Sequence, residues 1–314
     1  MTYDVVVIGG GAAGLSGALA LARARRSVLV VDAGAPRNAP AGHVHNYLGR
    51  EGAPPGELLA TGRAEVSGYG GEIVSGTVTG LRRHGEDGFE VELSGQVVRA
   101  RRLLLATGLV DELPPVPGVA ERWGRTVLHC PYCHGWEVRD QAIGILGTGP
   151  LAVHAALLWR QWSAEVTLFR HTAPEPTAEE RARLDARGIV VETAPVAAVE
   201  GGADVRLADG RLVPRQALVV TPAFHARTEL VAGLGLSPVP MELAGTVLGT
   251  HLAAGPAGST DVPGLYVAGN VADPRGQVLG SAAAGLLAGA AINGDLIEED
   301  TRRAVAGTVL EGAR

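Results

Sequence analysis

From Val5 to Ile8 the chain is a continuous apolar, mostly β-branched run, the pattern of a strand buried on both faces of a parallel sheet. An Ala- and Leu-rich stretch to about Arg26 predicts a helix, and Val28 to Val31 predicts a second strand ending at Asp32. Between the first strand and the helix stand Gly9, Gly11 and Gly14, in the order G-x-G-x-x-G. These pieces complete a βαβ unit. The glycines permit a tight turn, backbone approach to a pyrophosphate and close helix–strand packing, the helix N-terminus offers free N–H groups, and Asp32 suits ribose hydroxyls. A shift that lays Ile143 to Leu146 on Val5 to Ile8 also lays Gly147, Gly149 and Ala152 on the three glycines, and Val166 to Phe169 on the second strand. The pattern predicts an α/β fold with two Rossmann-like dinucleotide-binding domains. Where the first repeat has Asp32 the second has Arg170, and a guanidinium suits the 2′-phosphate of NADP(H), which a carboxylate would repel. The nucleotide of the second site, if any, stays open on this pattern.

Glu72 to Leu81 and Phe89 to Leu93 predict strands around a turn from His84 to Gly88, and Arg101 to Leu105 predicts another, ending at Ala106, Thr107 and Gly108. Prolines at 114, 115 and 117, and again at 238 and 240, mark breaks. Residues 1–115 and 242–314 are therefore expected to form one discontinuous domain, with 116–241 inserted. Leu265 to Ala268 predicts a late strand. A small-residue helix from near Gln277, through Ser281 to Gly285, would let its N-terminus sit close to a cofactor.

Composition narrows the class. A length of 314 residues fits about two domains, and 46% hydrophobic with 19% charged residues excludes a disordered chain. The net charge of −6, without a dense basic stretch, argues against nucleic acid as a partner. The apolar run from Val5 to Ala22 lacks a basic leader and is interrupted by glycines, so neither a signal peptide nor a membrane span is expected, and the pattern reads as cytoplasmic.

The only two cysteines, Cys130 and Cys133, stand in the run His-Cys-Pro-Tyr-Cys-His-Gly-Trp-Glu from His129 to Glu137. Cys-x-x-Cys brings two sulfurs within bonding reach in one turn, which suits disulfide exchange. Three other readings exist: c-type haem attachment through Cys130, Cys133 and His134, which needs export; a zinc site with His129 or His134, which lacks a second ligand cluster; and two inert buried thiols, which the flanking histidines and Trp136 oppose. No metal site is expected. His43 and His45, in a Pro/Gly-bounded loop, either face a bound group or are solvated. Trp159 and Trp162 read as packing or dimer contacts rather than substrate platforms. Arg23, Arg25 and Arg26 suit the end of the first helix and carry no assigned function.

Together, the Gly9–Gly14 motif, the Ala106–Gly108 turn, the Cys pair ahead of the second fold and the Leu265–Gly285 segment resemble low-molecular-weight thioredoxin reductase over nearly the whole chain. The resemblance implies a FAD domain, an inserted pyridine-nucleotide domain and a homodimer. It places Gly9, Gly11, Gly14 and Asp32 at the ADP half of FAD, the Val78 backbone near the adenine, and Thr107 and Gly108 near the pyrophosphate. Asn270, Gln277 and Val278 would face the ribitol and flavin ring. Three departures distinguish this chain. His134 follows the second Cys where the reductases have Asp; Arg170, His171 and Thr172 replace a His-Arg-Arg run; and Gly269 is followed by Asn270 in place of Asp. Cys-Pro-Tyr-Cys-His-Gly-Trp-Glu resembles instead the flavin-dependent dithiol oxidases that close disulfides in natural products of the gliotoxin, holomycin and romidepsin type, the holomycin type nearest.

That resemblance implies an enzyme taking a small-molecule dithiol and O2. Cys130 would be the attacked outer sulfur, Cys133 the inner one that passes electrons to FAD, and His134 the base, with hydrogen peroxide released. His129 and Glu137 are secondary candidates. An NADPH-dependent thioredoxin or disulfide reductase is the first alternative, and a flavin-bearing redox sensor the second.

Overall fold

The computed structural model describes residues 1–85 and 88–312. The first unit runs β1 (Thr2–Ile8), α1 (Ala12–Arg23), β2 (Val28–Asp32), α2 (Pro55–Gly68), β3 (Glu72–Ser75), β4 (Val78–His84), β5 (Gly88–Leu93) and β6 (Gln96–Leu105). β7 (Leu109–Glu112) and β8 (Val127–Leu128) lead to the one-turn α3 (Pro131–His134). The second repeat follows as β9 (Ile143–Leu146), α4 (Ala152–Trp159), β10 (Val166–Phe169), α5 (Ala178–Ala186) and β11 (Val190–Glu192). β12 (Val196–Glu200), β13 (Asp204–Leu207) and β14 (Leu212–Val213) form an antiparallel sheet, followed by β15 (Ala217–Val219) and β16 (Ala223–Ala226). β17 (Val239–Leu243), β18 (Thr246–His251), β19 (Leu265–Val267) and α6 (Val278–Gly312) complete the chain.

Both predicted sheets are present, the second wholly parallel and the first parallel except where β4, β5 and β6 pair antiparallel. The first has the order β3-β2-β1-β6-β5-β4, with β19 parallel to the C-terminal half of β6; the second has the order β11-β10-β9-β15-β8. Val5, Val6 and Val7 are fully buried, as a strand covered on both faces requires. The turn between β4 and β5 includes Glu86 and Asp87, which lie outside the described residues.

Three features differ from the sequence pattern. Glu72 to Leu81 is two strands broken at Gly76 and Thr77, with β3 on one edge of the sheet and β4 on the other; apolar periodicity is local and carries no record of such a crossing. The first helix ends at Arg23, because Arg25 takes a left-handed φ of 65°. After Val220, the last residue of the second core, the chain rejoins the first core at Ala226 and Val231, ahead of the Pro238 and Pro240 break. β17 continues through 241 and 242, with a shift in its register against β18 between them.

Among the described residues, α6 alone is long and apolar enough to span a bilayer. Its inner stripe is instead accounted for by packing: Ala288, Ile292 and Leu296 are fully buried against α1 residues such as Ala18 and Leu21. Arg102 fastens it further, with Nε 2.6 Å from Asp295 and Nη1 2.8 Å from Glu299.

Candidate active site

A cavity of about 1040 Å3 runs from the C-terminal ends of β1 and β2 to the Cys pair, and both ends are built by sheet topology. At the first end, Gly9 has φ of +107° and lies against the Ala106 carbonyl, where a side chain would collide. Gly14 packs on the Gly9 carbonyl and is buried beside the cavity, not on its wall, so its part is helix–strand packing. Gly11 is the α1 N-cap and opens onto the cavity, with no atom within 4 Å of where its Cβ would stand. Backbone and positive helix end are thus offered to an anion.

Asp32 ends β2 with its Oδ1 accepting the Gly10 N–H at 3.1 Å and its Oδ2 2.7 Å from Arg63 Nη2 on α2. Burial alone would raise its pKa, but the bonds from Arg63, Gly10 and Gly34 outweigh that and hold the carboxyl below its ordinary range. Val78 also lines the cavity, buried at the start of β4. Thr107 and Gly108 line it further on, anchored by Thr107 Oγ1 donating to the Arg227 carbonyl at 2.8 Å.

The other end carries the dithiol turn. β8 is the edge strand of the second sheet and delivers His129 and Cys130 at its C-terminal end, where open α/β sheets bind ligands. Cys130 is the N-cap of α3 with Pro131 at its first position, and the two sulfurs form a disulfide. Gln277 Nε2 lies 3.9 Å from Cys130 Sγ, at the limit of a sulfur hydrogen bond. Asn270 donates to the Gly276 carbonyl at 2.8 Å, and Asn270, Gln277 and Val278 all face the cavity.

His134 lies on the same wall, half-buried. Burial pushes its pKa down, with the His45 charge acting the same way and Glu137 opposing, which favours the neutral imidazole. His129 is also pushed down by burial; its Nδ1 lies 3.2 Å from the Val220 carbonyl and its ring meets Phe224 edge-on at 5.3 Å. The loop after β2 clasps the turn: Asn46 Nδ2 donates to the Tyr132 carbonyl at 2.5 Å, and His45 sits between Glu51 at 2.6 Å and Glu137 at 3.4 Å. His43 is exposed on the cavity rim. Trp159 is buried in the second core, and Trp162 supports the Tyr132 ring at 5.6 Å.

Arg37 has a place in the site that its sequence neighbourhood does not announce. Its guanidinium grips Asp111 bidentately at 2.8 and 2.6 Å, donates to Asn270 Oδ1 at 3.1 Å and stands over the Phe224 ring at 5.3 Å, all on the cavity wall. Its partners are distant in sequence, and the only local signal was an arginine between Pro36 and Asn38 in the loop already marked by His43 and His45.

The second glycine motif lies outside this cavity. Arg170 Nη1 pairs with Glu175 at 3.1 Å, and His171, at a left-handed φ of 47°, accepts the Val196 N–H on Nδ1 at 3.1 Å. Among the described residues, no cluster of three or more His, Cys, Asp or Glu side chains is arranged to hold a metal ion.

Residues 3–288 match the family model of pyridine nucleotide-disulphide oxidoreductases. Thioredoxin reductase sirT of Leptosphaeria maculans is 32% identical over 93% of this chain and 93% of its own, and thioredoxin reductase tcpT of Claviceps purpurea is 33% identical over 85% and 86%. Among solved structures, that of HlmI is 47% identical with a TM-score of 0.89, covering 98% of this chain and 96% of its own. An oxidoreductase from Agrobacterium tumefaciens is 39% identical, also at 0.89, over 95% and 99%. The cofactor of this fold family is FAD, and the cavity fits it: glycine turn, helix end and an acid suited to ribose hydroxyls at one end, polar amides and a disulfide at the other.

Proposed function

The chain belongs to the pyridine nucleotide-disulphide oxidoreductases, and within that family we propose that it oxidises small dithiols to disulfides, with dioxygen as the final electron acceptor. The observation that carries this reading is the shared cavity: the Cys130–Cys133 disulfide and the half-buried His134 face the same space as the FAD cradle, while Arg170 is turned to Glu175 outside it.

Gly9, Gly11 and Asp32 would hold the adenylate half of FAD with Val78, and Thr107 and Gly108 the middle. Asn270, Gln277 and Val278 would meet the flavin end. When bound, FAD supplies a two-electron acceptor for a dithiol and, with dioxygen, a route to hydrogen peroxide. In the protein's own steps, a substrate thiolate attacks Cys130 Sγ, forming a mixed disulfide as the Cys130–Cys133 bond breaks and Cys133 leaves as the thiolate. His134 takes the proton of the second substrate thiol, which attacks the substrate sulfur and expels Cys130. The substrate has lost two electrons, and the Cys pair holds them as a dithiol. Burial of His134 serves this role by favouring the neutral imidazole, which is able to accept.

NADPH-dependent disulfide reduction is the second reading, favoured by the second glycine motif and by the names of the two reductase relatives. Anaerobic mixing separates the two. Dithiothreitol is expected to bleach the flavin absorbance and NADPH not to, with peroxide formed on admitting air and dithiol bleaching lost in Cys133→Ser by about three orders of magnitude. Rapid bleaching by NADPH alone would return the protein to the reductases.

A further inference from the structure

One face of α4 has no part in the chemistry above. Leu151, His154, Ala155 and Leu158 recur at helical spacing of three and four and line the cavity that holds the disulfide. The other side of the helix, with Ala152, Val153, Ala156 and Trp159, is buried in the second core, on which Ala155 also packs, and an edge of Trp159 reaches the cavity beside Leu158. Leu158 is half-buried and belongs to none of the hydrophobic clusters among the described residues, so its apolar surface serves the cavity rather than either core. None of the four is Asp, Glu, Lys or Arg. In the first fold the equivalent helix presents its N-terminus to the cavity; here the helix presents its flank, which offers shape and apolar contact instead of charge.

We propose that this face of α4 is the substrate wall and that it selects small uncharged dithiols with an apolar or aromatic body, Leu158 making the main contact and His154 supplying its polar group. The proposal rests on the dithiol-oxidation reading and adds where specificity resides. Contact with Leu158 removes apolar surface from water, whereas a carboxylate-bearing dithiol must lose hydration against the same wall.

The test uses the FAD-loaded enzyme, anaerobic, with flavin bleaching titrated against toluene-3,4-dithiol, dithiothreitol and dihydrolipoate. The wild type is expected to half-saturate with toluene-3,4-dithiol at about tenfold lower concentration than with dihydrolipoate. Leu158→Glu should raise the toluene-3,4-dithiol value about tenfold or more, and by several-fold more than it raises the dithiothreitol value. If Leu158→Glu fails to hold flavin, Leu158→Gln is read the same way, with a shift of about threefold expected. Unchanged half-saturation in a flavin-loaded variant that dithiols still bleach overturns the wall and leaves dithiol oxidation standing. A wild type bleached by NADPH and by none of the three dithiols overturns the dithiol reading, and this proposal with it.

Discussion

The two dinucleotide folds of this chain share strand order and glycine spacing and differ in what surrounds the glycines. In the first, Gly11 opens onto a cavity and Asp32 stands beside it, held ionised by Arg63 and the Gly10 N–H. In the second, Arg170 is paired with Glu175, His171 is used by the Val196 backbone, and the motif lies outside the cavity. The helices diverge as well. α1 has twelve residues and starts directly after Gly11, whereas α4 has eight and starts only after Leu151. The same topology thus opens a turn shaped for a phosphate in one copy and frames the dithiol turn at the end of β8 in the other. A glycine motif specifies a backbone shape; whether that shape is a site depends on side chains brought to it from elsewhere.

Four measurements would break or sharpen this contrast. The largest effect is expected from the glycines. Gly14→Val drives a side chain into the Gly9 carbonyl and should leave the protein without flavin and poorly folded, while Gly149→Ala, at a position with nothing within 4 Å, should keep full flavin content and shift stability by less than about 1 kcal/mol. Equal flavin loss in both variants would show that the second motif also bears on the cofactor. Next in size, Asp32→Asn should weaken FAD binding about tenfold, because it removes the charged acceptor that Arg63 holds in place. Arg170→Gln should leave both FAD affinity and dithiol turnover within about twofold, as read by flavin fluorescence on dilution and by peroxide release.

The smallest effect is on pH dependence. Burial depresses His129 and His134 at the dithiol turn and His171 in the second fold, so the unfolded chain binds more protons than the folded one as pH drops below the ordinary imidazole value of about 6.5. Stability should therefore be highest above that value and decline as pH falls from about 6.5 toward 5. Thermal melts of His134→Gln should show a shallower decline than the wild type; an identical slope would remove His134 from the linkage.

Much of this architecture was legible locally. A strand buried on both faces, a glycine turn and a small-residue helix each impose a pattern within a dozen or so residues, and the second copy of the unit could be found by laying it on the first. α2 escaped because Pro55 to Gly68 has only three buried residues, too few to set a clear apolar stripe. The split of β3 from β4 escaped because edge position is a property of the assembled sheet. Arg37 escaped because its meaning lies in Asp111 and Asn270, which stand beside it only after folding.

By itself, then, the order of residues determined the two βαβ units, the Cys-x-x-Cys turn and the acid at Asp32, because each is enforced by contacts between near neighbours in the chain. Only the tertiary structure decided that the disulfide and the first glycine turn face one cavity, that Arg37 reaches Asp111 and Asn270, and that a flank of α4 forms part of the cavity wall. The physical reason is distance: charge pairing, desolvation and cavity shape act over a few ångströms in space, and segments far apart in sequence come within that range only when the sheets have closed around them.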